Sequence, residues 1–178
     1  MNYYQDRELE FLRQSNALER VYSKRAMINS IEAWEYAKRY TDPKKKIDIM
    51  AIKRIHKLLM NDLNPKIAGK IRKCPVYVGN RTKSRECLKP EKILNELTML
   101  CNILIIKADD TRLNKEKNDP VIKQWHVDFE GIHPFEDGNG RVGRIIMNIQ
   151  RLRVELPLLT IREGKEQFEY YKWFRDLK

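Results

Sequence analysis

The chain has 178 residues, 42% hydrophobic and 34% charged, with seven Pro and seven Gly. That composition suits one globular domain and excludes wholesale disorder and long linkers. Lys plus Arg outnumber Asp plus Glu by 36 to 25, a net charge of +11, which favours polyanions; scattered as these residues are, they read chiefly as solvated surface, and nucleic acid is not the expected partner.

In chain order, Gln5 to Val21 alternates apolar and charged residues at helical spacing, a first helix. Ser30 is positioned to cap a second, IEAWEYAKRY, which stops before Asp42-Pro43. Between Ile47 and Met60 apolar residues recur three and four apart, a third helix. NDLNPKIAGK reads as turn and loop. Val76-Tyr77-Val78 followed by Gly79-Asn80 predicts a short hairpin that needs support from a core. KPEKILNELTMLCNILIIK starts a helix near Pro90, and DDTRLNKEKND reads as loop. Pro120 is expected to open the next helix, VIKQWHVDFEGI; RIIMNIQRLRV forms another, stopped near Pro157; KEQFEYYKWFRDL closes the chain. The fold class is all-α, about seven helices with one small hairpin.

Three cysteines, Cys74, Cys87 and Cys101, lack CxxC spacing and read as small buried apolar side chains rather than a disulfide framework or zinc site. No basic-then-apolar secretory leader is visible in MNYYQDRELE, and LTMLCNILII is too short to span a bilayer. The expected setting is cytoplasmic, with no membrane partner. His56 and His126 read as structural, and Tyr170 and Tyr171, near Phe168, Trp173 and Phe174, read as core rather than as an adenine platform.

Chemistry concentrates in HPFEDGNGRVGR, His133 to Arg144. Helical segments flank the loop, so its glycines can turn successive N–H groups toward one point at a helix N-terminus, an anion site. Arg141 and Arg144 follow three apart with guanidinium forks suited to phosphate oxygens. Asp137 beside such a seat points to Mg²⁺ between carboxylate and phosphates. His133 can take a hydroxyl proton as general base, and Phe135 is expected to bury its ring and hold the loop. The combination predicts attack by a hydroxyl on a magnesium-bound nucleotide phosphate.

These residues match, at nine specified positions, the signature HPFx[D/E]GNGRxxR, and the chain is identified by it as resembling the Fic domain family; a chance match has a probability below about one in a billion. IHKLLM, GKIR, VYVG and HVDFEGI resemble the segments that precede the signature in that family. The resemblance implies a single Fic domain over 1–178, with a flap region at 70–88 and the catalytic loop and helix start at 133–144. It implies transfer of AMP from ATP to a Ser, Thr or Tyr hydroxyl of a target protein. His133 would deprotonate the hydroxyl, and Asp137 would hold Mg²⁺. Gly138, Asn139 and Gly140 would form the anion hole, with Arg141 on the β-phosphate and Arg144 on the γ-phosphate. Val76, Tyr77 and Val78 would dock an extended target segment by strand addition.

In QSNALERVYS, Leu12, Ser15, Glu19 and Tyr22 fall on one helical stripe, and an acid on an inward stripe wants a cationic partner. The family's inhibitory helix carries [S/T]xxxE[G/N], whose glutamate pairs with the second signature arginine. Ser15 and Glu19 match it within a candidate inhibitory segment 5–24, while Arg20 departs from it. If Glu19 is not the inhibitor, a separate antitoxin chain is the alternative source of that helix. A homo-oligomer burying the helix is compatible with the sequence, though no residue demands it. Two alternatives stand beside AMP transfer: another phosphorylated group, such as UMP or phosphocholine, moved by the same site, or a non-catalytic basic module binding nucleotide or nucleic acid.

Overall fold

The computed structural model describes residues 3–79, 84–110 and 115–175, and the regular elements within them are helices apart from one hairpin. The order is α1 (Tyr3–Ala17), α2 (Lys24–Lys38), a 3-10 turn (Arg39–Thr41), α3 (Ile49–Met60), β1 (Tyr77–Gly79), β2 (Ser84–Glu86), α4 (Pro90–Asp110), α5 (Lys115–Ile132), α6 (Asn139–Arg153) and α7 (Lys165–Lys172). The helical class and the small antiparallel hairpin are those the sequence predicts. No helix among the described residues is long and apolar enough to cross a membrane.

α6 is the axis of the fold. Every residue from Arg141 to Arg151 is buried, which is the signature of a helix surrounded by others. α5 packs along it, and α1, α2 and α3 close its other sides. Trp34, Ile52, Ile55, Leu59, Ile93, Leu97, Trp125, Phe129, Phe135 and Ile146 share the main core, each contributing about 1.5–3 kcal/mol by leaving water. Gly143 permits the close approach of α5. A Cβ there would lie 2.6 Å from His126 Nδ1 and 3.2 Å from Phe129.

Polar groups buried on α6 must be paired, and most are. Asn148 donates to Leu159 O (3.1 Å) and accepts from Leu159 N–H (2.7 Å), fixing the segment before α7. Arg151 donates to Pro157 O (2.8 Å) and pairs with Asp119.

Several expected boundaries move. α2 begins at Lys24, because Ser23 Oγ accepts Ala26 N–H at 3.1 Å. Ser30 lies inside the helix, buried, donating to Ala26 O (2.9 Å) or Asn16 Oδ1 (3.1 Å); buried Ala26 and Asn29 extend the inward face upstream of it. Asp48 caps α3 through Ala51 N–H at 2.8 Å, so that helix starts at Ile49. Pro120 falls within α5 rather than at its start. Of the expected loop at 109–119, residues 111–114 lie outside the described residues, and those on either side are helical. Cys87 and Cys101 are buried as expected, but Cys74 is exposed. Phe168 is also exposed, on the outer face of α7.

Candidate functional site

α5 ends at Ile132, and His133 takes a left-handed backbone, φ 51°. Such a conformation in a non-glycine residue costs about 1–3 kcal/mol and must be held by its surroundings. Arg72 does much of the holding. Fully enclosed, it donates through Nε to His133 O (2.7 Å), through Nη1 to Cys74 O (2.8 Å), and through Nη2 to Leu88 O and Ile132 O (3.3 Å). Its own N–H donates to Pro134 O at 3.0 Å. A buried cation without a carboxylate partner is thus satisfied by carbonyls, two of them at the C-terminal end of α5, where the helix dipole favours positive charge. The same side chain ties both roots of the hairpin to the loop.

Asn139 closes that loop. Its Oδ1 accepts Phe135 N–H and its Nδ2 donates to Phe135 O, both at 2.9 Å. Its side chain therefore faces inward, and only its backbone N–H is available to a ligand. Phe135 is buried as expected, stacked on His56 with ring centroids 3.7 Å apart. Gly69 N–H donates to His56 Nδ1 (2.8 Å), so Nε2 carries the ring hydrogen and donates to Asp137 O (2.9 Å). Burial lowers the His56 pKa to about 4; the ring is a neutral strut, as the sequence reading held.

Gly138, φ 81°, is the N-cap of α6; a Cβ there would meet Met60 Sδ at 3.1 Å in a conformation that L side chains resist. The first N–H groups of α6, from Asn139 to Arg141, have no intrahelical acceptor. Asp137 Oδ1 accepts Gly138 N–H (2.6 Å), and Oδ2 stands 3.7 Å from Arg141 Nη2 on a side chain 66% exposed. Arg141 is enclosed, donating only to Met60 Sδ (3.1 Å); its Nε and Nη1 have no partner among the described residues. Burial lowers its pKa. Unpaired buried guanidinium nitrogens beside free helix-terminal amides are the donor set of an anion site. No cluster of three or more His, Cys, Asp or Glu able to hold a metal occurs among the described residues. The single outward carboxylate of Asp137 fits Mg²⁺ bound jointly by one protein oxygen and phosphate oxygens.

Arg144, one turn on, has all its nitrogens in use. Nε donates to Ser15 Oγ (2.9 Å), Nη2 to Ser15 O (2.8 Å) and Glu19 Oε1 (2.7 Å), and Nη1 to Tyr170 Oη (3.2 Å). Burial works against its charge, but Tyr170 and Glu19 outweigh it and its pKa is raised. Glu19 Oε1 also lies against the start of α6: a Cβ on Gly140 would stand 2.2 Å from it. The carboxylate sits at the mouth of the anion site.

The segment carrying Glu19 differs from the expected stripe. α1 stops at Ala17, and Glu19 lies in the turn that follows. Ser15 and Leu12 face inward, whereas Tyr22 is 69% exposed, its hydroxyl donating to Glu163 Oε1 at 2.8 Å. Arg20 has φ 57° and an exposed side chain. That backbone explains why the inhibitory pattern has Gly or Asn there, and the outward side chain leaves the Glu19–Arg144 contact unobstructed.

His133 Nδ1 lies 3.5 Å from Glu130 Oε2, one turn back on α5. Tyr170 is buried, as expected, but it is more than core: its hydroxyl also lies 2.8 Å from His126 Nε2, and burial raises its pKa. His126, wholly buried, has a pKa lowered to about 4. Tyr171, expected in the core, is instead exposed, its hydroxyl donating to Leu18 O at 3.2 Å, because it lies on the outer side of α7 from buried Tyr170. Sequence reasoning missed Arg72, Glu130 and the grip of Tyr170 on Arg144; for Glu130 the signal was present, an acid three residues before the motif histidine.

The hairpin pairs Tyr77 with Glu86, Val78 with Arg85 and Gly79 with Ser84. Val76 precedes the strand, its carbonyl accepting Cys87 N–H at 2.9 Å. Tyr77 is exposed and Val78 half-buried. Asn80, the expected turn, lies outside the described residues.

A model of the Fic/DOC family matches residues 46–150. The chain is 31% identical over 127 residues to "Protein adenylyltransferase fic-1" of Caenorhabditis briggsae, a match covering 70% of this chain and 23% of that protein. The chain spans about a quarter of the length of the curated relatives it matches. Among solved structures, a Fic domain containing signaling protein from Bacteroides thetaiotaomicron superposes with a TM-score of 0.82 at 21% identity, over 95% of this chain and 70% of that one. Fic-1 from Caenorhabditis elegans superposes with a TM-score of 0.75 at 19% identity, over 94% and 54%. At those identities the likeness is one of fold.

Proposed function

The chain belongs to the Fic/DOC family, and from that membership we propose that it is a protein adenylyltransferase restrained by its own Glu19. The observation that carries this reading is the pair of α6 arginines beside His133: Arg141 with unpartnered donors, and Arg144 held at 2.7 Å by a carboxylate seated over Gly140. The names of the relatives support the reaction class.

In this reading the ATP polyphosphate lies across the N-terminus of α6. The backbone N–H groups of Asn139 and Gly140 and the guanidinium of Arg141 meet it, and Arg144 grips the far phosphate once free of Glu19. Asp137 is the residue that would hold Mg²⁺, which supplies charge neutralisation along the polyphosphate. A hydroxyl of the target protein gives its proton to His133 as its oxygen bonds the α-phosphorus, and the bond from that phosphorus to the bridging oxygen breaks, releasing pyrophosphate. The exposed edge beside Tyr77 holds the target segment in extended form.

The restraint is electrostatic and steric together. An anionic γ-phosphate and the Glu19 carboxylate compete for one guanidinium, and two anions in one seat repel. Wild type, Glu19→Gly and Glu19→Gly/His133→Ala incubated with ATP labelled on the α-phosphate, Mg²⁺ and a protein lysate give the test. Label on protein is expected mainly with Glu19→Gly and is lost in the double variant. Equal labelling by wild type and Glu19→Gly would remove the restraint and leave the enzyme. Absence of label in every sample, with ATP raising Tm, would remove the AMP-transfer reading.

A further inference from the structure

We propose that Glu130 is the positioning carboxylate of His133, receiving the Nδ1 hydrogen so that the Nε2 lone pair faces the incoming hydroxyl. The inference rests on the reading of His133 as general base.

The geometry comes first. Glu130 and His133 stand one turn apart, with Nδ1 and Oε2 separated by 3.5 Å. Among the described residues, buried Nδ1 has no hydrogen-bond partner, and neither has Glu130 Oε1. Oε2 is the oxygen that faces Nδ1, and the pair needs about half an ångström of closure to make a hydrogen bond. Catalytic hydrogen bonds are commonly long before the substrate arrives and tighten with it. His133 keeps 11% side-chain exposure; since Nδ1 is enclosed, that opening belongs to the rest of the ring, which includes Nε2.

The surroundings leave Glu130 no better partner. From α5, His126 is neutral at ordinary pH, its pKa lowered to about 4 by burial. From α7, Tyr170 has a raised pKa, and beside β2 so does Cys87, in both cases through burial first. Arg85 reaches only the Glu130 carbonyl oxygen, at 3.4 Å. Arg144 is committed to Ser15, Glu19 and Tyr170. Burial works to raise the Glu130 carboxyl, yet the His133 contact and the Arg144 guanidinium hold it below the usual range. The carboxylate is therefore ionised, and His133 is the group it can stabilise as an imidazolium once the target's proton has moved to Nε2. Glu130 itself gains no proton.

Long-range ¹⁵N spectra of the histidines, recorded through a pH titration on the full chain, test this without any need for turnover. Wild type is expected to show neutral His133 as the Nδ1–H tautomer. Glu130→Gln, which removes the charge and keeps the shape, is expected to lower the His133 midpoint by about one pH unit. In a Glu19→Gly background, Glu130→Gln is expected to cut kcat for AMP transfer about 10–100-fold with KM for ATP within about twofold. The acid limb of the rate profile moves down with the NMR midpoint. An unchanged midpoint and tautomer, or a lower rate with an unmoved acid limb, would overturn the assignment and leave Glu130 a packing residue. Should Glu130→Gln fail to fold, Glu130→Asp retracts the charge by one methylene; a smaller fall in midpoint supports the proposal and none overturns it. If Glu19→Gly transfers no nucleotide, the proposed function fails while the titration still decides Glu130.

Discussion

Arg141 and Arg144 stand three residues apart on one helix, both only 2% exposed, yet they live in opposite conditions. Arg144 is met by a carboxylate, a hydroxyl, a carbonyl and a phenol, whereas two nitrogens of Arg141 have no partner among the described residues. The difference shows which part of the anion site the protein fills from within and which part it leaves for a ligand. A helix start with both arginines unpartnered would be an open receptor; with both satisfied it would be only structure.

Removing each arginine in turn should break the comparison most forcefully. Arg144→Ala leaves the buried Ser15 hydroxyl and carbonyl without their donor, and is expected to lower unfolding free energy by about 2–3 kcal/mol. Arg141→Ala removes a buried charge that is poorly paired, so urea melts should place it within about 1 kcal/mol of wild type. In the Glu19→Gly background the same Arg141→Ala change should nonetheless reduce AMP transfer by about 10²–10³-fold. Comparable instability in the two variants would contradict the contrast.

Acid should act on the struts beneath each arginine. His56 holds the Asp137 carbonyl beside Arg141, and His126 holds Tyr170 beside Arg144. Both have folded pKa values of about 4, lowered by burial. As pH falls, the unfolded chain takes up these protons first, near 6.5, so stability present above that value is lost progressively down to about pH 4. The loss should be about 3 kcal/mol for each histidine, read as urea midpoints between pH 7.5 and 4.

A methyl group at position 140 tests how closely the internal carboxylate is seated. Gly140→Ala places Cβ 2.2 Å from Glu19 Oε1 and 2.8 Å from Arg144 Nη1, and is expected to cost about 1–2 kcal/mol. Combined with Glu19→Gly the cost should largely vanish, a coupling that a double-mutant cycle measures. The smallest change concerns the turn itself. Arg20→Gly relieves a left-handed backbone and should raise Tm slightly, by the equivalent of about 0.5–1 kcal/mol, while holding labelling at or below the wild-type level.

How much of this was legible in the sequence follows from the range of the interactions. The motif could be read because its parts are local: a loop and one helix turn contain His133, Asp137, the glycines and both arginines. Glu19 could be read by its spacing from Ser15, though not its place beyond the end of α1, because the tight turn that follows, with Glu19 N–H on Asn16 O and Arg20 N–H on Ala17 O, continues a helical count without being α-helical. Ser30 misled for a related reason: a hydroxyl inside a helix can bond the carbonyl four residues back, and only burial distinguishes that from a cap. Arg72 left no trace at all. Its partners are backbone carbonyls at Cys74, Leu88, Ile132 and His133, and every residue type has a carbonyl, so no side-chain pattern marks them.

The separation of Glu19 from Arg144 along the chain, 125 residues, has a consequence for biosynthesis. A ribosome releases the N-terminal part of a chain first. The Ser15–Glu19 segment has therefore left the ribosome well before α6 is made. When Arg144 emerges and is drawn inward, its internal anion is already present on the same molecule, and under the proposed function an ATP molecule from solution would meet a tethered rival. On the proposed reading, the order of synthesis favours pairing of Glu19 with Arg144 within each new copy.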